Sequence, residues 1–342
     1  VGKTTLAAGS ALASAREGDD VLVMTFDPSR RLKDVLGVAN SAGDEAAPVD
    51  ARTPGRVEAS LLDAGATFDR IVTRYAPDDA SRRRILGNRF YRHLSAGLAG
   101  VLEYMAVERL HEACEEGRHD RIVLDTPPTR EAIDLLGAPR RIVGFLESGA
   151  AEMAKRTWFD AKGRLRVTKS LGPLGRGLED LLDRVVGLDL LREVAEFFQA
   201  FGPLYQGFRL RALEVEAMLR APETAFVLVT GPRAGGVPAT AFFARRLLED
   251  GYRLAAVAVN RVHPAPETRP EGPPDPRDGR ALLDWLGAAD RAGIRDLRAR
   301  MAGGPPVVEV PLQGDAPATL AEVESLGVIL ASALRGAGIA AP

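Results

Sequence analysis

The chain has 342 residues, 46% of them apolar, a formal net charge of −2 and a single cysteine, Cys114. That length and apolar content suffice for one large core or two interleaved ones and exclude a disordered chain. The near-neutral balance gives no basic field for DNA or anionic lipid; one cysteine excludes an internal disulfide and a four-cysteine zinc site and fits a reducing cytosol; and no apolar run approaches the roughly twenty residues that span a bilayer.

The chain opens on Val1-Gly2-Lys3-Thr4-Thr5, the closing half of a phosphate-binding loop. In such a loop, backbone N–H groups at a helix start converge on an anion, the lysine reaches the outer phosphates and the next hydroxyl binds magnesium. Lys3 and Thr4 have the residue types for the last two roles. The full pattern carries another glycine five residues earlier and a buried strand before that, so the chain is expected to begin inside its loop, without that strand. The other reading is an ordinary helix start capped by threonine. Leu6 to Arg16, alanine-rich and ending near Gly18, predicts the helix that the motif requires.

Val21 to Phe26 reads as a strand closed by Asp27-Pro28-Ser29. A carboxylate there can orient or deprotonate a water attacking a phosphate in line; the alternative is a cap on a helix ending near Gly37. From roughly Leu61 to Met105 an insertion carries Arg82-Arg83-Arg84, which reads as a solvated helix face. His111, Cys114 and Glu115 share a helical face, whereas His119 lies past Gly117, so a surface helix end is favoured over a metal site. Arg121 to Leu124 is a strand that delivers Asp125 to its end, where it can hold magnesium, directly or through water, opposite Thr4. The following Thr126-Pro127-Pro128-Thr129 is stiff yet keeps two hydroxyls, as a loop sensing a γ-phosphate needs. The competing reading makes Asp125 the cap of a helix over Arg130 to Leu136.

Pro139 to Pro222 carries helical stripes, Leu178 to Val186 and Leu190 to Phe201, and reads as a helical insertion. Three more strands are predicted: Ala225 to Val229 before Thr230-Gly231-Pro232, Leu254 to Val259 before Asn260-Arg261, and Val307 to Val310 before Pro311. A mobile loop is expected over about 264–280, rich in proline and glutamate. Ala318 to Leu334 is a closing helix without the basic face of a membrane-surface tail. Valine-rich runs alternating with helices predict an α/β fold with a parallel sheet flanked by helices, its ligand at the carboxyl ends of the strands.

Val-Gly-Lys-Thr-Thr, Asp27-Pro28, Asp-Thr-Pro-Pro-Thr, Val259-Asn260-Arg261 and the final Val-Pro, in this order, resemble the ArsA-type anion-transporting ATPases. That family also contains the ATPase that delivers tail-anchored membrane proteins. The resemblance implies a P-loop NTPase in one domain over 1–342 with helical insertions at about 61–105 and 139–222, a deviant loop, ATP and Mg2+ as cofactors, ATP hydrolysis, a homodimer and a cytoplasmic location. It implies that Gly2, Lys3, Thr4 and Thr5 hold phosphates, that Thr4 and Asp125 place magnesium and that Asp27 is catalytic. Asn260 would recognise adenine with Arg261 beside it, and the Pro311 to Pro317 loop, with Leu312, Gln313 and Gly314, would cover the base. Partners would be a membrane carrier or an apolar client protein, with neither nucleic acid nor direct membrane insertion expected.

The departures are equally specific. A three-thiolate arsenite site cannot be built from one cysteine, no Cys-x-x-Cys zinc motif occurs, only Met153 and Met218 fall in the larger insertion, and Arg130-Glu131 stand where the targeting members carry glycine and histidine. The pattern is most similar to single-half bacterial members. The alternatives are a targeting factor for apolar segments and a positioning ATPase of the ParA or MinD kind. Without the first half of its loop the chain is expected to bind ATP weakly.

Overall fold

A computed structural model describes residues 2–26, 31–38, 45–89, 91–92, 95, 101–126, 129–147, 197, 200–201, 204–266 and 272–339. In chain order the elements are α1 (Lys3–Glu17), β1 (Val21–Thr25), α2 (Arg31–Leu36), β2 (Ala47–Pro48), β3 (Val57–Leu61), α3 (Ala64–Tyr75), α4 (Asp79–Gly87), α5 (Val101–Glu116), β4 (Arg121–Asp125) and α6 (Thr129–Glu147). There follow α7 (Tyr205–Arg220), β5 (Phe226–Thr230), α8 (Val237–Glu249), β6 (Leu254–Val262), α9 (Gly279–Arg300), β7 (Val307–Pro311) and α10 (Leu320–Gly336). The chain forms two compact units, one of Val1–Leu62, Ala113–Thr129 and Leu219–Pro342, the other of Asp63–Glu112 and Arg130–Met218. Among the described residues no helix is long and apolar enough to cross a membrane.

The first unit holds all seven strands found among the described residues. One sheet runs β2-β3-β1-β4 and the other β5-β6-β7; every pairing is parallel except that of the short β2 with β3. Parallel strands bury both faces and so read as continuous apolar runs, which is why β1, buried at all five positions, is Val-Leu-Val-Met-Thr. Helix α1 serves both sheets. Ala8, Leu12 and Ala15 pack with Val21, Val23 and Val57, whereas Leu6 packs with Ala256, Ala258, Val308 and Leu330. Its small residues also let α10 come close: a Cβ on Gly327 would lie 1.8 Å from the Gly9 carbonyl oxygen. Helix α10 starts on a capping box, the Thr319 hydroxyl accepting from the Glu322 N–H while the Glu322 side chain accepts from the Thr319 N–H.

In the second unit Phe68 packs on Tyr91 and Phe208, with centroids 4.9 and 5.9 Å away, and Phe201 packs on Phe197 and Phe208, each at 5.2 Å. Glu108 and Arg211, 1% and 3% exposed, are paired inside this unit, and the Tyr104 hydroxyl donates to Glu108 at 2.8 Å. Burial pushes the Glu108 carboxyl up despite the guanidinium beside it.

Elements β2, β3, β6 and α6 depart from the sequence expectation, the two-residue β2 lying where no strand is predicted. Strand β3 lies where no strand is predicted, because Val-Glu-Ala-Ser-Leu is short and only half apolar; pairing to β1 makes it a strand. Strand β6 continues three residues past Val259 through a bulge. Helix α6 runs from Thr129 through Pro139 to Glu147 instead of ending by Leu136. A proline there removes one intrahelical bond, and the Arg141 guanidinium donates to the Asp134 carbonyl in the turn before it. Of the residues expected in the larger insertion, 148–196 lie outside the described ones, as do 267–271 of the expected mobile loop.

Candidate functional site

The carboxyl ends of β4 and β6 meet the first turn of α1. Gly2 is the N-cap of this helix in the left-handed region, φ 81° and ψ 22°, a conformation glycine adopts without a Cβ penalty. Its carbonyl accepts the first helical bond, from the Leu6 N–H at 3.0 Å. The amides of a helix's first turn find no acceptor within the helix, and with the axial dipole they form a ready anion site.

Lys3 and Thr4 leave α1 toward β4. The Lys3 ammonium donates to the Thr126 carbonyl at 2.7 Å. The Thr4 hydroxyl donates to Asp125 Oδ2 at 2.8 Å, and the Thr25 hydroxyl donates to the same oxygen at 3.2 Å. Thr4 therefore reaches across to the strand, and the cap of α1 is the glycine before it, which sets aside the reading of an ordinary threonine-capped start. Asp125 is only 3% exposed, and its partners include hydroxyls from α1 and β1. Thr25 was not singled out from the sequence; it stands opposite Asp125 in the β1–β4 register, and a polar residue closing an apolar run was the one available signal.

Asn260 is 4% exposed on β6, and its Nδ2 lies 2.5 Å from where a Cβ on Gly2 would stand. A side chain at position 2 would collide with it, so the close approach as well as the backbone angle requires glycine. Arg261 follows at φ 61°, the only non-glycine with positive φ among the described residues. It is the extra residue of a β-bulge, since Asn260 pairs with Val310 and Val262 with Pro311. The Arg261 N–H donates to the Asn260 side-chain oxygen at 2.9 Å. The chain after Pro311 starts along β6, Leu312 N–H donating to the Val262 carbonyl at 2.9 Å, and the Gln313 amide donates to the Pro311 carbonyl at 3.0 Å. Pro311, Leu312 and Gly314 are exposed.

Gly2, Lys3, Thr4, Asp125 and Asn260 are thus gathered at one corner, with Thr5 half-buried in the first turn of α1. Asp27 lies outside the described residues. The end of β5 is tied elsewhere: the hydroxyls of Thr230 and Thr240 are 2.8 Å apart, joining that strand to α8. His119 is bonded to Glu58 at 2.7 Å. The Thr4 hydroxyl and the Asp125 carboxylate are hard oxygen donors of the kind magnesium takes, one or two from protein with the rest from water and phosphate, so the residues fit that ion.

Residues 1–157 match the family model described as anion-transporting ATPase. A Streptomyces coelicolor protein of uncharacterized function is 27% identical over 304 residues, covering 86% of this chain and 69% of its own. An Aquifex aeolicus protein, provisionally named arsenical pump-driving ATPase 1, is 21% identical over 336 residues, 96% of this chain and 76% of that one. A Mycobacterium tuberculosis protein is 32% identical over 157 residues, 43% of this chain and 37% of its own.

Proposed function

We propose that this chain, whose residues 1–157 match the model of the anion-transporting ATPases, is a magnesium-dependent ATPase of the ArsA type that hydrolyses ATP and works as a homodimer. The observation that carries this reading is the 2.8 Å bond from Thr4 on α1 to Asp125 on β4. It brings together a hydroxyl and a carboxylate that would suit magnesium, beside a lysine and a helix start.

Hydrolysis of a phosphoanhydride leaves little covalent chemistry for a protein, so catalysis is positioning and charge stabilisation. The first-turn amides of α1 and the Lys3 ammonium hold the β- and γ-phosphates. Thr4 and Asp125 would hold magnesium, which when bound would supply positive charge against the phosphates. Asp27 orients a water in line with the γ-phosphorus and takes its proton as the new P–O bond forms and the bond to the bridging oxygen breaks, releasing ADP. The Lys3 ammonium that reaches phosphate also bonds Thr126, the first residue of the Thr126-Pro127-Pro128-Thr129 loop, which supports a loop responsive to the γ-phosphate. In the dimer this response is the means by which hydrolysis would drive a conformational change.

The test is Asp27→Asn in the full-length protein. ATP binding measured by calorimetry stays within about twofold, whereas steady-state phosphate release is abolished, as expected when a group acting in the chemical step alone is removed. Unchanged turnover would remove Asp27 from this role, and wild-type protein without ATP affinity would overturn the function.

A further inference from the structure

The β6 bulge is gripped from outside the nucleotide corner. His263, two residues beyond Arg261, is held on three sides by consecutive residues of α9. The backbone N–H and ring Nδ1 of His263 both bond Asp290 Oδ2, at 2.9 and 2.7 Å, and the Arg291 guanidinium donates to the His263 carbonyl at 3.4 Å. Asp290 is 2% exposed. A carboxylate only accepts, so the ring nitrogen facing it, Nδ1, carries a proton.

Helix α9 is itself fixed. Arg291 and Arg298 both pair with Glu309 on β7, the latter at 2.8 Å. A Cβ on Gly287 would lie 2.2 Å from the Pro264 carbonyl oxygen, and one on Gly293 would lie 2.1 Å from that of Pro232. The helix therefore lies hard against the chain leaving β6 and the chain leaving β5. Neither approach leaves room for it to slide.

A left-handed arginine persists only where its surroundings over-determine the backbone. Here the Asn260 side chain fixes the near side of Arg261 and the Asp290 clamp fixes the far side, while Asn260 abuts Gly2. We propose that Asp290 is a positioning residue of the ATP site: through His263 it holds the bulged Asn260–Arg261 segment against the start of α1. This deepens the ATP-site reading and rests on it. In the ATP-site reading the phosphates fall to Lys3 and the α1 amides, which leaves segment 260–263 for the nucleoside end, so the clamp would act on affinity for ATP more than on phosphate recognition. Support of this kind matters because a binding group displaced by a fraction of an ångström loses its geometry.

The experiment measures dissociation constants of the full-length protein for ATP and for inorganic tripolyphosphate. The variants are Asp290→Ala, Asp290→Asn, His263→Ala and, as a control on the same helix, Arg300→Ala, each with a melting temperature. Asp290→Ala and His263→Ala weaken ATP about tenfold and leave tripolyphosphate within about twofold. Asp290→Asn, which keeps an oxygen acceptor for the His263 N–H, recovers most of the ATP affinity, and Arg300→Ala changes neither constant. Equal weakening of both ligands, or no recovery in Asp290→Asn, would mean general loosening and would overturn the proposal. Unchanged ATP affinity in Asp290→Ala with wild-type binding intact would overturn it while sparing the ATP site; a wild type that binds neither ligand would overturn both.

Discussion

Two buried carboxylates, one in each unit, are handled in opposite ways. Glu108 is 1% exposed and is closed off by the Arg211 guanidinium and the Tyr104 hydroxyl. Asp125 is 3% exposed and takes hydroxyls from Thr4 and Thr25, with the Lys3 ammonium bonded one residue further on, at Thr126. A guanidinium paired inside a unit is a permanent counter-charge. Hydroxyls are neutral and can turn, so the bonds from Thr4 and Thr25 do not by themselves neutralise the charge of Asp125. Burial is therefore shared by a structural pair and a candidate site, and the chemical type of the partner separates them.

Substitution at each carboxylate breaks the comparison if the two respond alike. Glu108→Ala removes the buried partner of Arg211 and leaves the exposed Glu214, at 3.8 Å, beside it, a change that costs up to roughly 3–5 kcal/mol of stability; urea unfolding reads it directly, and ATP turnover per folded molecule stays near wild type. Asp125→Asn keeps the size and one acceptor for the hydroxyls, so unfolding shifts little, whereas turnover falls about 10²–10³-fold, the range for removing one preorganised electrostatic group. A Glu108 variant of full stability, or an Asp125 variant of full turnover, would erase the distinction.

The same two regions differ in how far their sequence could be read. In the sheet unit the signals were local: valine-rich runs at β1, β4, β5, β6 and β7 mark strands with ends correct to within a few residues, most plainly at β1, where a strand covered on both faces must be apolar throughout. Gly2, Thr4 and Asp125 stood out because a phosphate loop and a strand-terminal aspartate are compact motifs. Strand β3 was not legible, since Val57-Glu58-Ala59-Ser60-Leu61 is a strand only once β1 lies beside it. The clamp on His263 was equally hidden: twenty-seven residues separate it from Asp290, and no spacing rule links a strand end to the middle of a later helix. In the helical unit, stripes predict helices without predicting which faces meet, so the Glu108–Arg211 pair, 103 positions apart, could not be anticipated.

A smaller effect is expected where α1 crosses α10. Gly327→Ala puts a methyl group 1.8 Å from the Gly9 carbonyl oxygen, and neither partner is a flexible side chain that can turn away. Overpacking of this kind costs about 1–3 kcal/mol. Helix propensity works in the opposite sense, alanine being favoured over glycine by about 1 kcal/mol, so the sign of the result shows which wins. Lower stability than wild type supports the close crossing; a gain would show that the helices separate at little cost. Because α1 carries Gly2, Lys3 and Thr4, a rise in the ATP dissociation constant should accompany the loss.

The smallest effect concerns the end of β1 opposite the corner where Thr4 meets Asp125. Asp20 is bonded by the Arg56 side chain at 2.5 and 3.1 Å and by the Arg56 N–H at 2.9 Å, and these bonds hold its carboxyl down to about 2 from an ordinary 3.8. A depressed carboxylate stabilises the fold at pH above its unfolded value and ceases to do so as pH falls through its folded value. The contribution is thus complete above about pH 4 and fades toward pH 2. The pair is open to solvent, where salt screens it, so the melting temperature of Asp20→Asn should differ from wild type by a small margin near pH 6, and the two should converge as pH falls from 4 to 2. Convergence that weakens in high salt would identify the ion pair; parallel melting curves across that interval would show that Arg56 gives β1 and β3 no charge-dependent support.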